Sequence, residues 1–279
     1  MLITRLERSA FAIAATLLFA AAAWGQTTTQ TPAAESQEAQ ELAKQLSNPV
    51  ASLIGVPFQS NWEFGVGPEE DTRFLVNFQP VVPFSLNEKW NLIGRVIVPF
   101  LSQPALVPGG EPKFGVSDIV ASAFFSPAKP AKFIWGVGPV VLLPATADPF
   151  LGTEKWGAGP TAVILKQSGS WTYGALVNHI WSFAGADDRA QVNQTFLQPF
   201  LSYGTKGGIT FTLNTESTGN WEANSGERWT VPINFQITKV TKIGRRPVSL
   251  GAGAGYFVEK PEGGPSWKFR TVVTFIFPR

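Results

Sequence analysis

The sequence has 279 residues, of which only 15% are charged, and it contains 22 Phe and 10 Trp. Few water-soluble proteins combine so much aromatic surface with so little charge, which favours one large β domain embedded in a membrane. The net charge is only +2 and no cluster of Lys and Arg marks a basic face, so we expect no nucleic-acid partner.

Neither a metal nor a nucleotide cofactor has a recognisable ligand set in the sequence. It contains one His and no Cys, whereas zinc and iron sites need several such ligands. Gly251, Gly253 and Gly255 alternate within a strand-like segment and do not join a strand to a helix, as a phosphate-binding loop would. We therefore expect no cofactor and no metal.

Residues 1–25 have the pattern of a secretory signal peptide. Arg5 and Arg8 precede an apolar run that ends at Ala23, shortly before the predicted cleavage site after Gly25. The alternative is an uncleaved membrane anchor, but the apolar stretch is short and a polar Gln/Thr tract follows it at once. The sequence therefore predicts export from the cytoplasm.

Residues 26–57 are predicted to form a disordered leader followed by a short amphipathic helix. The polar tract 26–35 has no periodicity, which is typical of disorder. Apolar residues then recur at helical spacing before Asn48-Pro49 ends the pattern; they are Ala39, Leu42, Ala43 and Leu46. This helix could plug the barrel mouth or lie on the inner leaflet, and its narrow apolar stripe favours docking against protein.

Residues 58–279 predict an all-β transmembrane antiparallel barrel. No apolar run there approaches the ~18 to 20 residues of a spanning helix, and only a closed barrel otherwise satisfies every backbone N–H and C=O inside a bilayer. Segments of about ten residues alternate in polarity, as in outer-membrane barrels. We predict twelve strands, near 58–66, 73–84, 89–101, 114–126, 131–143, 155–165, 171–183, 193–203, 208–216, 227–238, 247–258 and 266–277.

The tenth of these segments shows the alternation most clearly. Asn234 and Gln236 fall on one face, which suits water. The opposite face suits lipid and carries Trp229, Val231, Ile233, Phe235 and Ile237. The second and the last segments repeat the pattern.

The connections between the strands alternate between short basic turns and longer acidic loops. This is the asymmetry of outer-membrane barrels, and an even number of strands brings both ends of the barrel domain to the short-turn, periplasmic side. The short turns lie near 85–88, 127–130, 166–170, 204–207 and 239–246. The acidic residues assigned to the long loops are Glu69, Glu70, Asp71, Glu111, Asp148, Glu154, Asp187, Asp188, Glu216, Glu222, Glu259 and Glu262.

Tryptophans concentrate near the predicted strand ends, which indicates two aromatic girdles at the membrane interfaces. Trp90, Trp135 and Trp171 follow short turns, and Trp156, Trp181, Trp229 and Trp267 stand beside long loops. The core of a soluble β-sandwich would not place them so. Prolines inside the strands oppose the prediction, since each removes a ladder donor, and they require bulges or open ladder positions: Pro80, Pro99, Pro139, Pro160, Pro199 and Pro232.

The inner face predicts a narrow conduit for small, weakly polar solutes. A general porin usually has ~16 to 18 strands and a more uniformly charged interior. The predicted pore-lining residues are Asn77, Gln79, Asn91, Arg95, Asp118, Asn178, Thr212, Asn214, Asn234, Gln236, Lys268 and Arg270. Apolar residues are interspersed among them: Leu75, Ile93, Leu176 and Ile276.

A lipid-acting enzyme at the outer leaflet is the rival hypothesis. His179 shares its outward face with Trp181, while Ser182 points the other way, so only a Ser from an adjacent strand could complete a nucleophile–base pair. We favour an interfacial anchor over a catalytic base, and hence a protein that is not an enzyme. A third hypothesis is a structural barrel whose acidic loops bind a partner or calcium-bridged lipopolysaccharide.

Two stretches resemble one known family. They are LAKQLSNPVASLIGVPFQSNW, from Leu42 to Trp62, and the closing strand that runs from Phe275 to Arg279. Both are similar to the outer-membrane transporter family named for the phenol meta-cleavage (MetA) degradation pathway. The resemblance implies a barrel in the outer membrane of a Gram-negative bacterium that contacts lipids and lipopolysaccharide and admits small aromatic or hydrophobic solutes. It also implies recognition by the barrel-assembly machinery, through Phe275 and Phe277 because Pro278-Arg279 replace the usual terminal aromatic.

Overall fold

The computed structural model describes residues 32–129, 132–146 and 148–278, and the predicted signal peptide lies outside these ranges. They form one α-helix, α1 (Pro32–Leu46), and a single antiparallel sheet, with a short 3-10 helix at Ser225–Glu227. The strands are β1 (Ile54–Val66), β2 (Asp71–Phe78), β3 (Val81–Ser85), β4 (Trp90–Gln103), β5 (Lys113–Val116), β6 (Ile119–Pro127), β7 (Ile134–Leu143), β8 (Lys155–Ser168), β9 (Trp171–Gly185), β10 (Asn193–Gly204), β11 (Ile209–Thr215), β12 (Ser217–Asn220), β13 (Trp229–Ile243), β14 (Arg246–Glu259) and β15 (Trp267–Phe277).

These segments build a closed barrel of twelve strands, as predicted. Three barrel strands are each interrupted once, so that β2 and β3, β5 and β6, and β11 and β12 each count as one. Each barrel strand pairs antiparallel with the next, and β1 pairs with β15 from Ile54↔Phe277 to Phe64↔Trp267. Because the first and last strands pair along their length, the sheet has no free edge.

The barrel has a short-turn end and a long-loop end. At the short-turn end, β13 and β14 run on to Ile243 and Arg246, so the turn predicted at 239–246 is tighter than expected. At the long-loop end the chain makes longer excursions, such as 104–112 and 144–154. The predicted asymmetry of the connections is therefore present.

The prolines inside the strands stand largely where the ladder is open or shifted. Pro80 lies in the break between β2 and β3, and Pro232 lies at a register shift between β13 and β14. Pro139 and Pro160 face each other across β7 and β8, and each lies opposite a gap in the pairing with its other neighbour, β6 or β9. The two others, Pro99 and Pro199, lie opposite Asn77 and Ala175. At the first four of these positions the ladder is thus open or shifted where the N–H donor is missing.

The two faces of the sheet invert the pattern of a soluble protein. In β13, Ile233 and Phe235 are 45% and 49% exposed, whereas Asn234 between them is 3% exposed. In β15, Phe269 is exposed and Arg270 is buried. Large apolar side chains outside and polar ones inside are stable when lipid surrounds the barrel.

Helix α1 lies inside the short-turn end of the barrel. Glu35 in its first turn and Lys44 in its last complement the helix dipole. Asn48 then turns the chain, since its Oδ1 accepts the Val50 N–H at 3.0 Å. No helix in the described ranges is long and apolar enough to cross a membrane.

Two expectations for the N-terminal region need correction. The predicted helix is confirmed, but it begins at Pro32, so residues 32–35, which were expected to be disordered, form its first turn. Strand β1 begins at Ile54, four residues before the predicted start of the barrel, because its pairing with β15 extends to Phe277.

Candidate functional site: the barrel lumen

The inner segment, which we define as residues 42–53, fills the middle of the short-turn end. Leu42, Ala43, Ala51 and Leu53 pack against two inward-facing wall residues, Val240 and Ile276. Val50 packs on the opposite wall, in a buried cluster with Ile93, Phe124, Val163, Leu165 and Leu176. Burial of this apolar surface on both sides holds the segment across the lumen.

Among the described residues, three polar contacts attach α1 to the rim. Ser36 Oγ donates to the Lys206 carbonyl at 2.7 Å, and Gln167 Nε2 donates to the Lys44 carbonyl at 2.9 Å. Lys242 Nζ lies 2.9 Å from Glu38 Oε2. These contacts bind the helix to three of the short turns or the strand ends beside them.

A charge belt crosses the lumen beyond the inner segment. We define it as Asn61, Glu63, Arg73, Arg95, Glu216, Lys268 and Arg270. Glu216 is its centre: its two carboxylate oxygens accept from Arg270 Nη1 at 2.9 Å and Nη2 at 2.6 Å. Lys268 Nζ lies 3.3 Å from Glu216 Oε2. Such a bidentate, charge-assisted pair fixes the guanidinium plane.

The remaining members of the belt flank this centre. Arg270 Nε donates to Asn61 Oδ1 at 2.6 Å, and Arg73 pairs with Glu63 at 2.6 Å. Arg95 Nη2 donates to the neutral Gln79 Oε1 at 3.0 Å. The belt therefore contains four cations and two carboxylates.

Arg95, Lys268 and Arg270 were predicted to line the pore, and the structure places all three in this belt. Glu216 was assigned to an acidic loop, which is wrong: it lies inside the barrel at the break between β11 and β12. The alternation of side chains could have predicted this position, because Thr212, Asn214 and Glu216 are two residues apart and fall on the same, inward face. Glu63 of β1 was missed in the same way, although Trp62 and Phe64 face outward on either side of it.

A cavity of about 270 Å³ lies against the inner segment, and it is also bordered by residues next to the belt, among them Val81, the partner of Arg95, and Val272, two residues after Arg270. Three of the predicted pore-lining residues, Thr212, Asn214 and Gln236, form part of its wall. Apolar side chains such as Phe200 and Val240 complete it. The predicted mixture of polar and apolar interior residues is what this cavity presents.

A second cavity, of about 410 Å³, lies on the other side of the inner segment. It is bounded by residues of the short-turn end, including Asn91, Pro127 and Ala128. Gln45, Asn48, Ala51 and Leu53 border both cavities. The inner segment is therefore a partition between two spaces in one lumen.

The other predicted pore-lining residues lie outside these two cavities. Asn234 faces the interior and donates to Asn214 Oδ1 at 2.9 Å. Asp118 accepts from the Thr153 N–H and hydroxyl at 2.7 and 2.6 Å, so it anchors a long loop. Asn77 and Asn178 lie on the inner face by register, opposite Gln59 and Thr161.

The tryptophans predicted to form girdles lie on the outer face near the strand ends. At the short-turn end, Trp90 and Trp135 form an edge-on pair with ring centroids 5.8 Å apart, and Trp171 contacts Tyr203 at 4.9 Å. At the long-loop end the predicted set is Trp156, Trp181, Trp229 and Trp267; Trp156, Trp181 and Trp267 are at least 46% exposed and Trp229 partly buried.

His179 belongs to a hydrogen-bonded cluster on the outer face. Its Nδ1 lies 2.7 Å from Thr195 Oγ1, and its Nε2 lies 3.0 Å from Asn193 Oδ1. Trp221 Nε1, which can only donate, reaches the same Thr195 oxygen at 2.8 Å. With a neutral ring, the Thr195 hydroxyl then donates to Nδ1 while Nε2 donates to Asn193. The adjacent strand thus supplies a Thr where sequence reasoning considered only a Ser.

Comparisons with known proteins establish the fold. No protein-family model matches the chain, and no curated protein matches it significantly. An outer membrane channel from Pseudomonas putida F1 is 17% identical with a TM-score of 0.62, and the match covers 82% of this chain and 96% of that one. The porin NanC is 9% identical with a TM-score of 0.55, over 79% and 98% of the two chains.

Outer membrane phospholipase A from Escherichia coli also matches, but more distantly. It is 10% identical with a TM-score of 0.48, and the match covers 80% of this chain and 90% of that one. The closed sheet, its apolar exterior and the likeness to the Pseudomonas putida channel and to NanC define the class: the chain is an outer-membrane β-barrel of the Gram-negative type. Membership in the family named for phenol meta-cleavage stays a prediction.

Proposed function

We propose that the protein is a passive, energy-independent channel for small hydrophobic or aromatic solutes, with the inner segment as its plug. The observation that carries this proposal is the pair of cavities, about 270 and 410 Å³, that the inner segment separates inside a closed barrel. A solute that displaced this segment would find continuous space from the charge belt to the short-turn end. Two proteins of the same fold, the outer membrane channel from Pseudomonas putida F1 and the porin NanC, are a channel and a porin by name, which is consistent with the proposal.

The walls of the space between the charge belt and the short-turn end suit solutes with an apolar body. The cavity beside the belt combines amide and hydroxyl groups with aromatic and aliphatic surface, for example Gln236 beside Phe200 and Val240. Apolar surface of the solute could be buried there while its few polar atoms find hydrogen bonds. This is the chemistry of a small aromatic compound with one or two polar substituents.

The plug is attached in a way that allows it to move. The ion pair between Glu38 and Lys242 is 39% and 36% exposed, and pairs this exposed stabilise by little. Most of the docking free energy therefore comes from the short apolar stretch around Leu42 and Leu53. A solute that displaces the plug must therefore break mainly this apolar packing, together with the packing of Val50 on the opposite wall.

Planar-bilayer recording tests the proposal directly. Purified full-length protein should give small or rare conductance steps. A variant that lacks residues 26–53, a deletion that stops just before β1, should give larger and more frequent steps. Liposome flux of phenol should follow the same order. An absence of conductance and of flux from both proteins would count against a channel.

The His179 cluster supports a second candidate, a lipid-acting hydrolase at the outer leaflet. A nucleophile, Thr195, and a group that orients the base, Asn193, each lie within hydrogen-bond distance of the base, His179. Thr195 Oγ would add to an ester carbonyl while Nδ1 takes its proton and passes it to the leaving alcohol. Water would then hydrolyse the acyl-threonine and regenerate the hydroxyl.

Two substitutions at the same position separate this candidate from an interfacial anchor. Thr195→Val removes the hydroxyl at constant shape, and Thr195→Ser retains it. Phospholipid turnover in mixed micelles should disappear in T195V and in His179→Ala and persist in T195S. The hydrolase is excluded if wild-type protein shows no turnover, or if turnover survives in T195V.

A further inference from the structure

Arg95 is a cation of the lumen without a carboxylate of its own. It projects from β4 to the inner face, where the neutral amide of Gln79 is its hydrogen-bond partner at 3.0 Å. In the described ranges no carboxylate lies within ion-pair distance of its guanidinium. The carboxylate that acts on it electrostatically is Glu216, which is already paired with Arg270 and Lys268.

The charge balance of the surroundings leaves this cation uncompensated. Within the belt, Glu63 pairs with Arg73, and the single charge of Glu216 is shared by Arg270 and Lys268. At the long-loop end, the buried Lys155 and the buried Asp118 contribute one charge of each sign, so their sum is zero. The excess of positive charge therefore lies in the belt, in a narrow space where the field of each charge is poorly screened.

The cavity next to the belt offers no competing charge. Val81, which lies opposite Arg95 in the β3–β4 pairing, and Val272, the next inward residue after Arg270, both border this cavity. Its wall in the described ranges contains no charged side chain, and Gln198, Asn214 and Gln236 contribute amide groups. An anion that enters the cavity meets hydrogen-bond donors on its walls and cations at one end.

We propose that the lumen selects small organic carboxylates, with the carboxylate held at Arg95 and the apolar body in the 270 Å³ cavity. The guanidinium of Arg95 has free N–H groups in the planar fork that fits a carboxylate. Rings of Arg and Lys are the usual means by which pores favour anions. This inference rests on the proposed channel function and names the chemical class of its solute.

Reversal potentials across a KCl gradient measure the charge preference. The wild-type channel should favour chloride over potassium, and Arg95→Gln should lower that permeability ratio roughly twofold or more, as expected for loss of one unit charge near the path. Lys239→Gln is the matched control, because this substitution removes the same charge from the outer face of β13. It should leave the ratio unchanged.

Current block measures the carboxylate site itself. Sodium benzoate should block chloride current in the wild-type channel, and benzamide, its neutral analogue of similar shape, should not. The block should weaken in R95Q. Arg95→Lys should keep the anion preference and still weaken the block, because the planar fork is lost; it also serves as the test if R95Q does not fold.

The outcomes separate the two proposals. Conductance without anion preference, an R95Q ratio equal to that of wild type, or a benzoate block unchanged in R95K would each overturn the carboxylate site and leave the channel intact. An absence of conductance in wild type and in the variant lacking residues 26–53 would overturn both. Anion preference and benzoate block that both depend on Arg95 would establish the site.

Discussion

Gly208 lies directly against Ala39 where α1 meets the barrel rim. A Cβ atom at position 208 would stand 2.9 Å from the Ala39 Cβ and 3.2 Å from its carbonyl carbon. The backbone φ of Gly208 is +73°, which a residue with a side chain adopts only at a cost. The absence of a side chain at Gly208 therefore allows α1 to pack directly against the backbone of this turn.

Gly208→Ala should displace α1 and raise channel activity. The new methyl group would overlap Ala39, and the left-handed backbone adds roughly 1 to 2 kcal/mol of strain. We expect more frequent conductance steps in planar bilayers. Gly169→Ala is the control for strain alone, since φ is +57° there and nothing lies within 4 Å. Equal activity of the two variants would show that the helix contact is unimportant.

Leu42→Ala should loosen the inner segment far more than removal of the exposed ion pair. Leu42 is buried in the contact with Val240 and Ile276, and truncation of a buried Leu costs about 2 to 5 kcal/mol. Glu38→Gln should cost under about 1 kcal/mol. Limited trypsin digestion after Lys44 reports the difference: L42A should be cut much faster than wild type and E38Q at nearly the wild-type rate. A reversed order would mean that polar contacts hold the segment.

Glu216→Gln should lower the free energy of unfolding of the barrel. The substitution leaves Arg270 and Lys268, both 4% exposed, as neighbouring cations without their carboxylate. Breaking a buried ion pair in this way costs about 3 kcal/mol. Urea titration in detergent, followed by tryptophan fluorescence, measures the loss. Glu222→Gln, in an exposed loop, is the control, and a Glu216→Gln midpoint equal to it would contradict the prediction.

Phe235→Arg and Gln236→Arg test the two faces of the sheet at adjacent positions. Phe235 is 49% exposed on the outer face, where a charge facing lipid costs about 2 to 4 kcal/mol, whereas Gln236 borders the interior cavity. We expect F235R to reduce the yield of heat-modifiable, folded barrel in lipid vesicles and Q236R to fold nearly as wild type. If Q236R were the more damaging, the assignment of the faces would be wrong.

The alternation of side chains was sufficient to predict the architecture. Successive side chains of a strand point to opposite faces, so the sequence of each strand indicates which of its residues face lipid. Residues such as Ile233 and Phe235 have the predicted orientation. The number of strands and the difference between short turns and long loops followed from the same local pattern. The helical spacing that ends at Asn48-Pro49 likewise predicted α1.

The tertiary structure alone decided how these faces meet inside the barrel. Glu216 and Arg270 are 54 residues apart, and their pairing depends on the register of several strands, which no single strand encodes. The same holds for Thr195 and His179, which are brought together by the β9–β10 register, and for Val50, which packs on Phe124 only because the inner segment folds into the lumen. Local polarity sets the direction of a side chain, whereas its neighbours follow from strand stagger and closure, which are properties of the whole sheet.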